Sequence, residues 1–308
     1  MKPHENVKYA VNVNQFTHLD DFAGMIDFIT TAEAEGYDKV RFVDHIVGVD
    51  VTAHPEMPYT PYTHLSNFNE VFTLMAYLCH LTSKIKLVTG VLGLPQRQTA
   101  LVAKQAAMID TLSGGRMLLG VGLGYNAVEF AALETEFKTR ARRFEEQLDV
   151  LRMLWTQEIV TFKGDFHDLQ SVNIRPLPIQ KPIPIWIGAG RTEDPVPPEK
   201  VLERIGRKGD GWCPLFRIAE GADTLDARAQ EAIAKVDAAA SAAGRDPRSL
   251  DLELGLFPDG KSRETVLAEI DALHALGARH IHVRFSGKTA AEQIASLPLL
   301  QQSTRPYS

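Results

Sequence analysis

The sequence predicts an α/β protein, a (β/α)8 TIM barrel of eight parallel strands with an excursion between strands 4 and 5. Short apolar runs, typical of strands buried on both faces, alternate with amphipathic helical segments along the chain. The alternation repeats eight times, the number that closes a parallel sheet into a barrel. The 308 residues also suffice, since such a barrel commonly needs about 250. We therefore expect residues 1–308 to form a single domain.

The N-terminal half provides four strand–helix units. Its predicted strands are Val7–Val13, Lys39–Val43, Ile85–Leu92 and Met117–Gly122. The predicted helices are Leu19–Glu35, Phe68–Leu81, Thr99–Leu112 and Arg140–Thr156. The third helix ends at Ser113-Gly114-Gly115, because glycine adopts a left-handed conformation at little cost. The excursion, Gln157–Pro182, shows no strong period, and its prolines exclude a regular helix.

The C-terminal half provides four further units in the same alternation. Its predicted strands are Ile183–Gly188, Asp210–Cys213, Leu250–Leu256 and His280–Phe285. The predicted helices are Glu199–Arg207, Leu225–Ala243, Glu264–Leu276 and Ala290–Leu297. The order of elements therefore remains that of a parallel sheet to the end of the chain.

Composition narrows the class of protein. The net charge is −6 with both signs interspersed, which argues against a nucleic-acid or anionic-membrane partner. The two cysteines, Cys79 and Cys213, lie in apolar surroundings and favour a reducing compartment over a disulfide framework. No apolar run approaches the roughly 18 residues of a membrane span, and the N-terminus lacks a signal-peptide core. We expect a soluble, cytoplasmic protein.

In a barrel of this type the functional residues follow the carboxyl ends of the strands. These positions are Asn12, Asn14, Asp44-His45, Gly90–Leu92, Gly122–Asn126, Gly188–Arg191, Cys213–Leu215, Phe257 and Arg284–Ser286. The longest of the loops that follow strands is His45–Asn67, which contains His54, Tyr59, Tyr62 and His64. This loop either forms a lid or substrate wall, or its aromatic residues only pack it down.

Several motifs carry a family resemblance. The strongest are AKQAAMIDTLSGGRMLLGVGLG (Ala103–Gly124), RARRFEEQLDVLRMLW (Arg140–Trp155) and KGDGW (Lys208–Trp212). Weaker ones are VDHIV (Val43–Val47) and IPIWIGAG (Ile183–Gly190). In this order the chain resembles the bacterial-luciferase-like superfamily of flavin and deazaflavin oxidoreductases. It is most similar to the branch that uses coenzyme F420, a 5-deazaflavin, although the branch that uses FMN shares most of the pattern.

The resemblance implies a set of residues around the reactive ring. Relatives carry an acidic residue and a histidine after strand 2, here Asp44 and His45, and a histidine transfers protons near neutral pH. After strand 3 relatives have a bulge, often with a non-proline cis peptide, that contacts the cofactor. In this sequence the bulge and the glycine-lined end of strand 4 correspond to Thr89, Gly90, Val91, Gly122 and Gly124.

The resemblance also implies a phosphate-binding end. Glycine-rich strand ends let backbone N–H groups converge on an anion. The matching residues are Gly188, Ala189, Gly190, Arg191, Gly211 and Trp212. The segment TEDPVPPEK departs from the commoner family form by separating these glycines from the next helix.

A second departure concerns the proton donor. Some deazaflavin dehydrogenases carry a glutamate just after the strand-4 glycines, where this chain has Tyr125, then Asn126 and later Glu129. A sugar-phosphate dehydrogenase is therefore doubtful, and we take Tyr125 as a catalytic candidate. His64, Tyr62 and Arg284 are candidate substrate contacts, although Arg284 fits a structural salt bridge nearly as well.

We accordingly expect an F420-dependent oxidoreductase that transfers hydride to or from a small organic substrate, with His45 as acid or base and a homodimeric assembly. The first alternative is a monooxygenase that uses reduced FMN and oxygen. The second is a barrel subunit that binds flavin or supports a partner without catalysis.

Two further interpretations have less support. Gly122–Ala127 fits the G-x-G-x-x-A pattern of a dinucleotide-binding sheet, but neither the immediate helix nor the later acidic residue is evident. A metal-dependent hydrolase would draw on Asp44, His45, His54, His64, His280 and His282, yet no set of three ligands emerges, and we predict no metal.

Overall fold

The structure is a computed structural model that describes residues 7–13, 21–55, 57, 62–191 and 193–304, with side chains described as far as residue 300. Two residues of the sequence analysis, Asn14 and Tyr59, lie outside the described residues. The chain forms two compact units. Unit 1 comprises Met1–Arg41 and Ile185–Ser308, and unit 2 comprises Phe42–Pro184. The single domain over residues 1–308 stays a prediction.

The strands and helices alternate along the described chain. The strands are β1 (Lys8–Val13), β2 (Lys39–Phe42), β3 (Lys86–Thr89), β4 (Leu92–Gly93), β5 (Met117–Gly122), β6 (Val160–Lys163), β7 (Asp168–Val172), β8 (Ile185–Ala189), β9 (Gly211–Pro214), β10 (Asp251–Leu256) and β11 (His280–Val283). The helices are α1 (Phe22–Ala34), α2 (Val71–Leu81), α3 (Thr99–Ser113), α4 (Ala127–Ala132), α5 (Arg140–Thr156), α6 (Glu199–Lys208), α7 (Ala227–Ala242), α8 (Arg263–Ala275) and α9 (Ala290–Thr304).

The strand order confirms the predicted fold class. The main sheet runs β3-β2-β1-β11-β10-β9-β8-β5-β4, and β3 also pairs with β5. The pairing therefore closes on itself through eight strands, as in a (β/α)8 barrel. The registers of β1 with β11, β10 with β11 and β8 with β9 are parallel. The ring includes β2 and β9, two short strands that the sequence predicts.

The core of unit 2 is built around β5, whose six residues are all buried. Helix α3 supplies the apolar stripe of the sequence analysis, with Val102, Ala106 and Ile109 buried. The Arg116 guanidinium, just after α3, donates to the carbonyl oxygens of Cys79, Thr82 and Ile85 at 2.7–3.3 Å. Arg116, the last residue of the SGGR part of the family motif, therefore has a structural role, because it links the end of α3 to residues 79–85.

The core of unit 1 ties β8 to β9 through the KGDGW motif. The Ile185 amide donates to the Asp210 carboxylate at 2.8 Å, and the Asp210 amide donates to the Ile185 carbonyl at 2.8 Å. The Arg245 guanidinium donates to the carbonyl oxygens of Gly206 and Gly209 at 2.8 and 2.7 Å. Trp212 is 2% exposed, and its ring lies 5.7 Å from that of Phe216. This motif therefore holds two neighbouring strands together.

The structure differs from the sequence prediction in four places. The predicted strand Ile85–Leu92 is interrupted between β3 and β4, where the Gly90–Val91 peptide is cis. The excursion contains the antiparallel pair β6–β7, which the lack of a strong period concealed. Helix α4 was not predicted, because it has only six residues. Helix α9 continues through Pro298 to Thr304, seven residues beyond the predicted Leu297.

Candidate active site

The most distinctive feature of unit 2 is a buried carboxylate beside His45. Glu129 is 2% exposed, and its Oε2 lies 3.3 Å from His45 Nδ1. Its Oε1 accepts a 2.6 Å hydrogen bond from the Ile46 amide, and Oε2 accepts one of 2.9 Å from Gln96 Nε2. Burial alone would raise the pKa of Glu129, but the bonds from His45, Ile46 and Gln96 hold it below its ordinary value. Glu129 is therefore ionised at neutral pH.

The charge of Glu129 decides which nitrogen of His45 carries hydrogen. An ionised carboxylate only accepts hydrogen bonds, so Nδ1 donates to it. Among the described residues none bonds to Nε2. The His45 side chain is 12% exposed, which leaves this nitrogen the one available to a ligand. The arrangement is a carboxylate–histidine pair of the kind that orients an imidazole for proton transfer.

Three aromatic side chains surround the His45 ring. The ring centroids of Tyr62, Phe68 and Tyr125 lie 3.8, 4.9 and 6.1 Å from it. Tyr62 is 1% exposed, and its hydroxyl accepts a 2.8 Å hydrogen bond from Asn126 Nδ2. Burial raises the pKa of Tyr62, so its phenol stays neutral. Packing on these rings fixes the plane of the imidazole.

The local sequence explains where α4 begins and therefore how it places Glu129 beside His45. Asn126 caps the helix, because its side-chain oxygen accepts from the amides of Val128 and Glu129 at 3.0 and 3.1 Å. Glu129 is the third helical residue, the position of the acidic partner in a capping box. Here its carboxylate turns to His45 and Ile46 instead. The sequence contains the capping signal, but nothing local indicates a partner 83 residues away.

Asp44 lies next to His45 but is occupied by protein partners. Its Oδ1 accepts a 2.6 Å bond from the Arg97 guanidinium, and Oδ2 accepts a 3.3 Å bond from the Gly93 amide. The Asp44 side chain is 1% exposed and that of Arg97 is 13% exposed. Asp44 therefore anchors the segment that follows β2 to the segment that contains β4.

The segment between β3 and β4 is open at one point. Thr89 is fully buried, and its hydroxyl donates to the Gly120 carbonyl at 2.6 Å. Gly90 and Val91 are half-buried, between residues buried on either side. The cis peptide that joins them confirms the geometry implied by the family resemblance. This half-buried step carries no side chain longer than that of valine.

Contacts within the protein already require glycine at two positions that were predicted to line the cofactor site. Gly124 has a φ of +70°, and a Cβ atom there would lie 2.9 Å from the Phe130 ring. Gly190 has a φ of +98°, and a Cβ atom there would lie 2.4 Å from the Pro195 carbonyl oxygen. Both positions require glycine whether or not a ligand binds. The glycines alone are therefore weak evidence of a cofactor.

The remaining predicted residues have the following surroundings in the structure. In unit 1 the burial of β8 decreases towards its end, so that Gly188 and Ala189 are half-buried and Gly190 and Arg191 exposed. Gly211 begins β9 against the Trp186 indole. Gly122, the last residue of β5, is buried. His64 is half exposed, with Nδ1 4.0 Å from Asp50 Oδ1, and Arg284 is exposed at the end of β11.

Two features are absent from the described residues, a metal-binding cluster and a membrane-spanning helix. No group of three or more histidine, cysteine, aspartate or glutamate residues has a metal-binding arrangement there. No helix in the described part of the chain has the length and apolar character needed to cross a membrane.

Comparison with known proteins gives the family. The model of the luciferase-like monooxygenase family matches residues 5–296. An uncharacterised protein of Mycobacterium tuberculosis (strain ATCC 25618 / H37Rv) is 33% identical over 215 residues, 68% of this chain and 71% of that protein. The F420-dependent glucose-6-phosphate dehydrogenase of Amycolatopsis mediterranei (strain U-32) is 31% identical over 211 residues, 67% of this chain and 56% of the dehydrogenase.

A solved structure shows the same fold. The monooxygenase RslO1 from Streptomyces bottropensis superposes with a TM-score of 0.74 at 19% identity, covering 96% of this chain and 98% of that one. These matches define the class of protein, an oxidoreductase on a (β/α)8 barrel. The chain belongs to the luciferase-like monooxygenase family, which confirms the resemblance seen in the motifs.

Proposed function

We propose that this protein is an F420-dependent oxidoreductase that acts on a small organic substrate, with His45 as its proton donor or acceptor. The observation that carries the proposal is the His45–Glu129 pair of unit 2. A buried, ionised carboxylate fixes Nδ1 and leaves Nε2 without a partner among the described residues. Family membership supplies the redox class, and the F420-dependent relative at 31% identity favours the deazaflavin.

His45 performs the proton chemistry in this proposal. Neutral His45 carries its hydrogen on Nδ1, towards Glu129, and accepts a proton at Nε2 when a substrate hydroxyl is oxidised. In the reverse direction Nε2 donates that proton to a carbonyl oxygen. The Glu129 carboxylate stabilises the imidazolium formed on the way. Tyr62 and Phe68 exclude water from one face of the ring.

The residues of unit 2 fit a deazaflavin ring. A 5-deazaflavin supplies a two-electron hydride carrier when bound. The half-buried step at Gly90 and Val91 offers a surface without long side chains, and Thr89 holds that step to Gly120. Asp44 and Arg97 fix the neighbouring loop, so the surface is preorganised. We assign Gly90 and Val91 to the ring, and Asp44 to the support of the surface.

The remaining predictions keep their place in the proposal. In unit 1 the exposed end of β8, Gly188–Arg191, is our assignment for the phosphate of the cofactor. Tyr125, 36% exposed beside His45, and Tyr62 are assigned to the substrate side. We also retain a cytoplasmic homodimer with a small-molecule substrate.

The name of the family favours one competing function, a monooxygenase that uses reduced FMN and oxygen. The two functions differ in the cofactor that the apoprotein binds. Titration of the purified protein with oxidised F420 and with FMN, followed by fluorescence, distinguishes them. We expect micromolar or tighter binding of F420 and at least about tenfold weaker binding of FMN, a difference of about 1.4 kcal/mol. Tight binding of FMN without binding of F420 would overturn the proposal.

A further inference from the structure

Two arginines of unit 1 frame an aromatic side chain at the ends of neighbouring strands. The guanidinium carbons of Arg217 and Arg284 lie 4.8 and 5.9 Å from the ring centroid of Phe257. Arg217 forms a parallel bridge with Gly255 of β10, and the Arg284 amide donates to the Leu256 carbonyl at 3.0 Å. The sheet therefore fixes both backbones, and both side chains reach solvent.

The charges of these two arginines are not compensated by the described residues. No described carboxylate forms an ion pair with Arg217 or Arg284. The nearby Arg41 is positive as well, and its own partner is Glu253 at 2.6 Å. Burial, and then Arg41 and Arg217, lower the pKa of Arg284. Arg217 and Arg284 thus present two positive charges that a bound anion would offset.

A buried histidine lies beside the arginines with a polar atom unused. His282 is 9% exposed, and its Nε2 has no hydrogen-bond partner among the described residues. Its register partners on the two neighbouring strands are Ala10 of β1 and Gly255 of β10. Neither has a side chain beyond a methyl group, so these two neighbours add little side-chain bulk beside the imidazole.

The electrostatic surroundings keep His282 uncharged. Burial, followed by the nearby charges of Arg41 and Arg284, lowers its pKa well below the ordinary value. A neutral imidazole donates one hydrogen bond, which an anion between the arginines would accept. A buried donor left without a partner costs free energy, and a bound ligand would recover it.

We propose that Arg217, Arg284 and His282 form a binding site for the anionic group, a carboxylate or phosphate, of the substrate. Guanidinium groups bind both anions through charge-assisted hydrogen bonds. The ring of Phe257 contacts both guanidinium groups and so holds them near one another. The identification of the anion as substrate rests on the proposed function, whereas the anion site itself does not.

The direct test uses inorganic phosphate and acetate as probes on the purified full-length chain. Binding is measured by calorimetry for the native protein, R217A/R284A and R248A. Arg248 is a matched control, because it is an exposed arginine of unit 1 that pairs with Asp246. We expect at least about tenfold weaker binding of the preferred probe to R217A/R284A, since charge-assisted bonds are lost, and no change for R248A. Equal binding to R217A/R284A, or none to the native protein, overturns the site.

A second arm distinguishes the substrate from the cofactor as the source of the anion. F420 is titrated into the native protein and R217A/R284A, whose fold is checked by thermal unfolding without ligand. Affinity for F420 within about twofold supports a substrate site. A parallel loss of F420 and probe binding overturns the substrate assignment. If neither form binds F420 while the probe result holds, the proposed function fails and the anion site stands.

A third variant tests His282 itself. His282→Leu removes the donor, whereas His282→Gln retains one in a neutral side chain. We expect several-fold weaker probe binding for His282→Leu and partial recovery for His282→Gln, about the effect of one hydrogen bond. Equal losses in the two variants, or no loss in either, remove His282 from the site.

Discussion

Each unit contains a cluster of buried charged residues, and the two clusters differ in how their polar groups are paired. In unit 1, Lys39 is fully buried and shares the Glu253 carboxylate with Arg41, at 3.3 and 2.6 Å. Lys39 also contacts His280 Nδ1, and its ammonium lies 4.8 Å from the Trp186 ring centroid. In unit 2, Glu129 binds one nitrogen of His45 and leaves the other without a described partner. The charged groups of the first cluster pair with one another, whereas the second cluster leaves one nitrogen available to a ligand.

We propose that this difference separates a structural charge cluster from a catalytic one. Both clusters contain a buried glutamate whose pKa is lowered, so the pKa direction alone does not separate them. The unpartnered atom separates the two clusters, because His45 keeps Nε2 available whereas the charged groups around Glu253 pair with one another. Variants of both clusters test this contrast, and the one expected to change stability most is in unit 1.

Removal of the central charge of unit 1 should have the largest effect on stability. Glu253→Gln leaves Arg41 without a carboxylate and Lys39 with only that of Asp38 at 3.6 Å, so we expect a loss of about 3–5 kcal/mol in the free energy of unfolding. Urea denaturation measures it. The control is Glu231→Gln, which removes an exposed pair with Lys235 and should cost less than about 0.5 kcal/mol. Similar small losses in both variants would show that the cluster is dispensable.

A comparable but smaller loss is expected in unit 2. Arg97→Met leaves Asp44 buried with only the Gly93 amide as partner, and we expect about 3 kcal/mol of destabilisation. Arg142→Met is the control, because its partner Asp165 is 72% exposed. If Arg97→Met unfolds at the same urea concentration as the native chain, Asp44 does not depend on this ion pair.

The pH dependence of stability tests the ionisation of Glu129. Its folded pKa is lowered, so its contribution is complete above the unfolded value of about 4.3 and is lost as pH falls through the folded pKa. Glu129→Gln should cost about 1–3 kcal/mol at neutral pH, with a smaller difference from the native protein in acid. Glu158→Gln, at an 80% exposed position, is the control. A difference that stays constant with pH would contradict an ionised Glu129.

The smallest effect concerns the aromatic ring beside His45. Tyr62→Phe removes the hydroxyl that accepts from Asn126, and we expect a loss of about 1 kcal/mol. Tyr77→Phe, at a 54% exposed position, should change stability by less than about 0.5 kcal/mol. Thermal unfolding of the two variants provides the comparison. An unchanged Tyr62→Phe protein would mean that solvent replaces the hydroxyl.

Local sequence patterns predicted the barrel but only part of the candidate site. The apolar runs that became β5 and β10 and the stripe of α5 depend on neighbouring residues, which a sequence displays directly. The partners of Asp44 and Glu129 lie 53 and 83 residues away, and no local period encodes them. Asp44 was predicted to face the cofactor, whereas Arg97 occupies its carboxylate.

The glycines illustrate the same limit. Gly124 and Gly190 were predicted to make room for a ligand, but positive φ angles and close protein neighbours already require glycine there. The sequence shows that these positions carry no side chain. It does not show whether a ligand or another part of the protein fills the space. The His45 position was predicted because it follows a strand, and the carboxylate that orients it emerged only from the structure.

Single-turnover hydride transfer measures the proposed reaction and the role of His45 in it. Protein loaded with reduced F420 is mixed without oxygen with a panel of small aldehydes and ketones, and oxidation of the cofactor is followed by absorbance. We expect oxidation with at least one carbonyl compound and none with oxygen alone. His45→Ala should be at least about 100-fold slower while its affinity for F420 is retained. Full-rate turnover by His45→Ala would overturn the role of His45, and turnover only with reduced FMN and oxygen would overturn the proposed F420-dependent function.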